Sequence, residues 1–145
     1  MKVLIQRVLS SSVTVEDKIV GKINKGLLLF VGFTEGDSEK EIDYMVDKVI
    51  NLRIFDDENG VMNKSLLDVK GSILSISQFT LYADASKGRR PSYIKALGGD
   101  YASVLYNKFN QKLKDTNIPI EEGIFGADMK VNLINDGPIT IMLEK

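Results

Sequence analysis

The sequence predicts an α+β fold in which two main helices pack on a mainly antiparallel β-sheet that is strongly curved or barrel-like. Two observations predict it. Apolar residues recur at helical spacing in two segments, after Ser38 and after Asp100, whereas most other apolar residues lie in short strand-like runs. No linker, internal repeat or low-complexity segment divides the 145 residues. We therefore expect a single domain over residues 1–145, long enough to bury a core.

The first third of the chain is expected to form strands. Residues 3–8 make one apolar run, and short β-branched runs on either side of Glu16-Asp17-Lys18 predict a hairpin around that turn. Residues 26–33 are almost continuously apolar, which is typical of a strand that is covered on both faces.

The first helix is expected to begin after Ser38, because Ser38 and Glu41 have the spacing of a capping box. A short strand at residues 52–55 and a turn at residues 56–60 should follow. That turn is acidic but lacks the alternating carboxylates of an EF-hand, so we interpret it as a solvated turn and not a calcium loop. The apolar stripe of the helix consists of Ile42, Met45, Val46, Val49 and Ile50.

The second half predicts a long strand at residues 73–81 and a second helix with Asp100 as its N-cap. The chain is then expected to end in strands at residues 118–120, 130–134 and 139–143. One face of the second helix carries its apolar residues, which are Ala102, Leu105, Tyr106, Phe109 and Leu113.

Composition excludes several kinds of chemistry, because the chain has no cysteine and no histidine. No disulfide, thiolate nucleophile, Cys/His zinc site or His-containing triad can be built. Acid–base work would fall to carboxylates, lysines, tyrosines, backbone groups, water or the substrate, and we expect no cofactor and no metal. The net charge of −1 means that a polyanion would have to bind a local basic patch or be held mainly at one end. No apolar run reaches the roughly 18 residues of a membrane span and no signal peptide is evident, so we expect a cytoplasmic protein.

The stretch Ser77-Gln78-Phe79-Thr80 ends an otherwise apolar strand with three hydrogen-bonding side chains. One interpretation is a strand end whose polar groups face solvent. The other is a catalytic site, with a nucleophile or with backbone N–H groups that leave the ladder and stabilise an oxyanion. Backbone N–H groups can stabilise an oxyanion without any titratable side chain.

Two basic features are open to more than one interpretation. Residues 87–90, Lys-Gly-Arg-Arg, form either a solvated loop or a phosphate clamp. Arg7 is either a surface residue of an edge strand or a partly buried one that needs acceptors.

The segment Asn135-Asp136-Gly137-Pro138 predicts a turn between two strands, and an X-Pro bond taken alone is expected to be trans. Gly123 and Gly126 have the Gly-x-x-Gly spacing of the RNA-binding KH loop. That loop must lie between helices, and strands are predicted around it here, so we discount it.

Together these stretches resemble the D-aminoacyl-tRNA deacylase family, first described as D-tyrosyl-tRNA deacylase, over the whole chain. The landmarks are Gln6-Arg7-Val8, Gly26-Leu27-Leu28, Leu52-Arg53-Ile54-Phe55, Met62-Asn63, Ser77-Gln78-Phe79-Thr80-Leu81, Lys87-Gly88-Arg89-Arg90-Pro91, Phe125-Gly126-Ala127-Asp128-Met129 and Asn135-Asp136-Gly137-Pro138.

The resemblance implies an esterase that removes D-amino acids, and glycine, from wrongly charged tRNA. It implies a homodimer with active sites at the interface, in which Ser77, Gln78, Phe79 and Thr80 line each pocket. Gly137 and Pro138 of the other subunit, joined by a cis bond, would enter that pocket and reject L-amino acids. Three further roles are implied: Arg7 would hold the Gly-Pro segment, and Phe125 and Met129 would lie near the terminal adenosine.

Partners and mechanism follow from the same resemblance. The partner is expected to be the 3′ end of aminoacyl-tRNA, with no DNA and no membrane. We hypothesise that backbone N–H groups around Phe79 and Thr80 hold the developing oxyanion while water attacks, aided by the substrate's 2′-hydroxyl. Thr80 as a covalent nucleophile is an alternative that lacks an evident base. A non-catalytic module that binds single-stranded RNA 3′ ends, stacking bases on Phe79, Tyr82 and Phe125, is the rival function, and a structural dimer is a further one.

Overall fold

The computed structural model describes residues 1–145 as one α+β domain. Its helices are α1 (Glu39–Asn51), the one-turn α2 (Leu66–Val69) and α3 (Gly99–Lys114), and a 3₁₀ helix spans Phe79–Tyr82. Its strands are β1 (Lys2–Val15), β2 (Lys18–Ile23), β3 (Gly26–Gly32), β4 (Phe55–Asp56), β5 (Met62–Lys64), β6 (Ser72–Ser77), β7 (Ile120–Glu122) and β8 (Lys130–Glu144).

The main sheet has six strands and is nearly closed into a barrel. The long strand β1 pairs antiparallel with β8 along one edge, and with β3 and then β2 along the other. Beyond β3 the strands β6 and β7 follow in parallel. The predicted α+β class with a curved sheet and two main helices is confirmed. The sheet is mixed, because the chain crosses over through α1 between β3 and β6 and through α3 between β6 and β7.

Strand β3 lies in the middle of the sheet and is covered on both faces, as its apolar run predicts. Leu27 and Leu29 point into the larger core, which packs α1 and α3 on the sheet, whereas Leu28 points into a smaller core inside the curved sheet. All three side chains are fully buried. Burial on both faces therefore holds β3 and its neighbour β6 in place beneath the site described below.

Helix α1 confirms the predicted capping box. The Ser38 amide donates to Glu41 at 2.9 Å, and the Ser38 side chain accepts hydrogen bonds from the first turn. The predicted apolar stripe is buried against the sheet, with Ile42 and Met45 fully enclosed. The first hairpin is also confirmed, since Glu16 and Asp17 adopt the positive φ values of its tight turn.

Three predicted boundaries in the middle of the chain are wrong. Leu52 caps the C-terminus of α1 and only Phe55–Asp56 is a strand, because the carboxyl end of the helix occupies the residues before it. Strand β6 ends at Ser77, and the chain turns into the 3₁₀ helix there instead of continuing to Leu81. The N-cap of α3 is Gly98, which offers no side-chain oxygen, and Asp100 lies inside the first turn.

The predicted strands at the end of the chain also need correction. The short strand lies at Ile120–Glu122, where the chain first runs beside β6, and not at residues 118–120. Residues 130–134 and 139–143 belong to one continuous strand, β8, because both halves pair with the same long β1. The segment between them is a bulge in this strand and not a hairpin turn. None of the helices is long and apolar enough to cross a membrane.

Candidate active site

A cavity of about 620 Å³ opens where the parallel strands β3 and β6 end. Its size is within the range of small-molecule sites. Five of the nine predicted site residues line it: Ser77, Gln78, Phe79, Phe125 and Met129. The other four, Arg7, Thr80, Gly137 and Pro138, do not line it.

The turn after β6 has two free backbone amides, one on the cavity residue Phe79 and one on the adjacent Thr80. The amides of Phe79 and Thr80 open the 3₁₀ helix, so they have no acceptor within it. No turn, loop or side-chain acceptor takes up either of them. The preceding amide, on Gln78, donates to the Val31 carbonyl at 2.7 Å and so fastens the start of the turn to β3. The pair of N–H groups is therefore available to an oxygen of a ligand.

Close packing of β3 beneath this turn depends on Gly32. A side chain there would place its Cβ 2.8 Å from the Gln78 carbonyl oxygen. Glycine permits the approach because it has no Cβ. The end of β3 thus supports the turn that carries the free amides.

Thr80 lies on the exposed side of the turn, next to the cavity. Its Oγ1 accepts a hydrogen bond from Gln78 Nε2 at 2.5 Å, which aligns the two side chains. Asp128 is the only carboxylate that lines the cavity, and it forms an ion pair with the exposed Lys130. The Thr80 hydroxyl therefore contacts the side-chain amide of Gln78, whereas a nucleophilic hydroxyl would need to contact a base.

The opposite wall consists of Phe125 and Met129. The ring of Phe125 packs on that of Tyr106 from α3, with centroids 6.0 Å apart. Tyr106 is fixed in turn by its hydroxyl, which donates to the Ser75 carbonyl at 2.8 Å, and burial raises the pKa of that hydroxyl. Gly123 leaves room for Met129, whose sulfur would lie 2.6 Å from a Cβ at this position.

Arg7 is buried, 6% exposed, and lies opposite the bulge in β8. The register passes from Gln6 paired with Thr140 to Val8 paired with Asn135, so residues 136–139 face Arg7 alone. Of the two interpretations of Arg7, the buried one with acceptors is correct. Its Nη1 donates to the Ile54 carbonyl at 2.7 Å, and its Nε lies 3.0 Å from Oδ2 of Asp136.

Asn135 and Gly137 give the bulge its shape. The Asn135 side chain donates to the backbone carbonyls of Arg7 and Ile139, each at 3.0 Å, and so closes the bulge at its base. Gly137 adopts φ +111°, and a Cβ there would lie 3.1 Å from Nη2 of Arg7. The peptide bond between Gly137 and Pro138 is cis, whereas the local sequence alone favours trans. Both residues are exposed at the tip of the bulge.

The basic residues Lys87, Arg89 and Arg90 lie in an exposed loop that precedes the cavity residue Tyr93 in the chain. The loop is closed at its base by two hydrogen bonds between the backbones of Asp84 and Ser92, at 2.8 and 2.9 Å. None of the three basic side chains forms an ion pair within the protein. These three side chains are therefore free to bind an anion.

Sequence reasoning missed other contributors to the site. Tyr93 and Leu97 line the cavity, and Asn135 closes the bulge. Tyr93 follows the basic loop directly, and an aromatic residue beside free cations was the available signal for it. Asn135 belongs to the Asn-Asp-Gly-Pro stretch, but its two acceptors depend on the pairing of β8 with β1, which no local pattern reveals.

Comparisons with known proteins show the family to which this chain is related. The family model described as D-Tyr-tRNA(Tyr) deacylase matches residues 4–144. A D-aminoacyl-tRNA deacylase of Clostridium botulinum (strain 657 / Type Ba4) is 54% identical over 99% of this chain and 97% of that protein. A D-aminoacyl-tRNA deacylase of Exiguobacterium sp. (strain ATCC BAA-1283 / AT1b) is 54% identical over 100% of this chain and 99% of that protein.

Two solved structures have the same fold. The c-Myc DNA Unwinding Element Binding Protein superposes with a TM-score of 0.94 at 40% identity, over 100% of this chain and 99% of that one. A probable eukaryotic D-amino acid tRNA deacylase superposes with a TM-score of 0.82 at 19% identity, over 98% of this chain and 97% of that one, which shows the shared fold alone.

The fold and the site together are those of an α+β protein with a nearly closed mixed sheet and a cavity at the end of two parallel strands. The chain belongs to the D-Tyr-tRNA(Tyr) deacylase family.

Proposed function

We propose that this protein hydrolyses the ester bond of D-aminoacyl-tRNA, and of mischarged glycyl-tRNA, in the cytoplasm and releases the amino acid and free tRNA. The observation that carries the proposal is a pair of unpaired amides, one on Phe79, which lines a cavity large enough for a nucleoside, and one on the adjacent Thr80. Two adjacent N–H donors suit an ester oxygen that gains negative charge. Family membership supports the choice of substrate.

In the proposed reaction, the ester carbonyl oxygen faces these two amides while water adds to the carbonyl carbon. The tetrahedral intermediate then collapses, the bond to the ribose oxygen breaks, and that oxygen takes up the proton which the water gives. The vicinal 2′-hydroxyl orients the water and relays the proton. This route is favoured over attack by Thr80 because the Thr80 hydroxyl contacts an amide and not a base.

Chiral selection is proposed to come from a second subunit. Gly137 and Pro138 do not line the cavity of their own chain, yet they protrude on a bulge that Arg7 and Asn135 hold from below. In a homodimer this cross-subunit Gly-cisPro motif would enter the partner's pocket and present backbone to the substrate's amino group. An L side chain would then collide with it, whereas a D side chain would point outward and glycine would have nothing to collide.

Apolar side chains around the bulge support such a dimer. Leu9 on β1 and Ile134 on β8 are each more than half exposed, and Met142 is nearly so. Exposed apolar residues grouped on neighbouring strands are typical of a protein–protein interface. The two subunits would thereby share two sites, each built from one cavity and the other chain's bulge.

Hydrolysis of a D-aminoacyl-tRNA measured beside its L counterpart tests the proposal. We expect rapid loss of the D ester and of glycyl-tRNA, with the L ester remaining. Loss of neither ester, together with binding of the RNA 3′ end, would instead support a non-catalytic RNA-binding module. Equal loss of both esters would contradict the proposed chiral selection.

A further inference from the structure

An exposed apolar platform at the rim of the cavity consists of the contacting rings of Phe79 and Tyr93, and the exposed Ile94 follows Tyr93 in the chain. Phe79 is 54% exposed, Tyr93 is 42% exposed and Ile94 is 89% exposed. The rings of Phe79 and Tyr93 meet edge to face with centroids 5.2 Å apart. Phe79 and Tyr93 also line the cavity, so the platform is continuous with it.

The platform is rigid at its backbone. The Thr34 hydroxyl donates to the Lys95 carbonyl at 2.6 Å, and the Leu97 amide donates to the Phe33 carbonyl at 2.8 Å. On the other side, the two backbone hydrogen bonds of Ser92 hold the segment to Asp84. The exposure of Tyr93 and Ile94 is therefore a property of a fixed segment and not of a loose loop.

Unpaired basic residues precede and follow Tyr93 and Ile94 in the chain. Arg90, the last basic residue of the loop with Lys87 and Arg89, lies three residues before Tyr93, and Lys95 follows Ile94. All four basic side chains are exposed, and none forms an ion pair within the protein. An exposed aromatic ring with unpaired cations beside it is the arrangement that binds single-stranded nucleic acid, with the base on the ring and the phosphate on the cations.

We propose that Tyr93 and Ile94 bind the base of the nucleotide that precedes the terminal adenosine, and that the basic loop binds the phosphate between the two nucleotides. The inference rests on the proposed function, which places the terminal adenosine in the cavity. A strand that leaves the cavity passes over Tyr93 because this residue belongs to both the wall and the rim. The side chains of Tyr93 and Ile94 add affinity for RNA and take no part in the chemistry.

The test compares two small substrates, a D-aminoacyl-adenosine and the same compound extended at its 5′ side by one cytidylate. We expect wild-type protein to prefer the dinucleotide in kcat/KM by roughly tenfold, the usual effect of stacking one base. Tyr93→Ala should abolish most of this preference and Tyr93→Trp should keep it. Tyr44→Ala is the matched control, since Tyr44 is 40% exposed on α1, outside the cavity. An unchanged preference in Tyr93→Ala overturns the inference.

Binding of uncharged ligands separates this inference from the proposed function. Calorimetry with adenosine and with cytidylyl-adenosine should show a preference for the dinucleotide that depends on Tyr93, even if no ester is hydrolysed. A preference for cytidylyl-adenosine without any ester hydrolysis would support the proposed base-binding role of the platform and contradict the proposed esterase activity. Sedimentation of Tyr93→Ala gives a further outcome. If this variant dissociates into monomers but keeps its preference for the dinucleotide, the platform belongs to the subunit interface and the inference is overturned.

Discussion

The guanidinium of Arg7 and the carboxylate of Asp136 lie 3.0 Å apart, Nε to Oδ2, and join the first strand to the bulge of the last. The same guanidinium donates to the Ile54 carbonyl at 2.7 Å, so three distant parts of the chain meet at one buried side chain. Gly137 lies directly over it. The position of the exposed Gly137–Pro138 tip thus depends on a charge beneath it.

Removal of Arg7 should destabilise the fold. Arg7→Ala leaves Asp136 without its cation and the Ile54 carbonyl without its donor, so we expect a loss of about 2–4 kcal/mol in the free energy of unfolding, measured in urea. Arg7→Lys should lose less, because it keeps the charge. The exposed pair of Lys130 and Asp128 is the control, and Lys130→Ala should change stability by at most about 0.5 kcal/mol. Equal losses in the free energy of unfolding for Arg7→Ala and Lys130→Ala would show that Arg7 does not stabilise the fold through its buried contacts.

Gly137→Ala should distort the bulge and relax chiral selection. A Cβ at position 137 would lie 2.7 Å from Ile139 Cγ1, and φ of +111° is unfavourable for alanine. We expect the ratio of D to L ester hydrolysis to fall. Gly60→Ala is the matched control, since Gly60 also has a positive φ but nothing within 4 Å of a Cβ. Its cost should be confined to backbone strain of about 1 kcal/mol, with no effect on selection.

Thr80→Val separates the two proposed mechanisms. If water attacks while backbone amides hold the oxyanion, the variant should keep its kcat within roughly tenfold of wild type, whereas loss of a covalent nucleophile should cost about 10³-fold or more. Thr80→Ser should be nearly wild type under either mechanism and so reports on folding. A substrate that lacks the 2′-hydroxyl should react slowly, and normal turnover of it would exclude the substrate-assisted route.

The basic loop should contribute to the salt dependence of tRNA binding. Arg89→Ala/Arg90→Ala removes two unpaired cations from the loop that precedes Tyr93, so we expect weaker binding and a flatter plot of log Kd against log salt concentration. The control is Lys18→Ala/Lys40→Ala, which removes two exposed positive charges elsewhere and so has the same net charge as the loop variant. If both double variants have the wild-type slope, the loop does not contact phosphate.

Two buried tyrosines predict a loss of stability at alkaline pH. Burial raises the pKa of Tyr82 and of Tyr106 above the ordinary value of 10.0. The unfolded chain then releases protons near pH 10 that the folded chain still holds, so the free energy of unfolding should be level below that pH and fall above it. Urea unfolding at pH 8 to 11 measures this, and Tyr106→Phe should reduce the slope. That variant also loses the hydrogen bond to Ser75, at a cost of about 1 kcal/mol at all pH values.

Local patterns predicted much of the fold because the forces involved are local. The capping box of Ser38 and Glu41 and the stripe that begins at Ile42 need only helical geometry and burial, and both are present. The apolar run of β3 needs only two covered faces. The predictions of where β6 ends and where α3 begins were wrong. A strand or helix is bounded by where its neighbours pair or pack with it, and β6 ends at Ser77, which pairs with the end of β3.

The amino-acid sequence by itself determined the fold class, the absence of histidine and cysteine chemistry, and the motifs that resemble the deacylase family. Only the tertiary structure decided that Arg7 is buried and holds the last strand, that residues 136–139 form a bulge and not a turn, and that the free amides of Phe79 and Thr80 lie at the start of a turn beside a cavity that Phe79 lines. The reason is physical: each of these features is made by groups far apart in the chain, such as Arg7 and Asp136, and pairing of β1 with β8 brings them together.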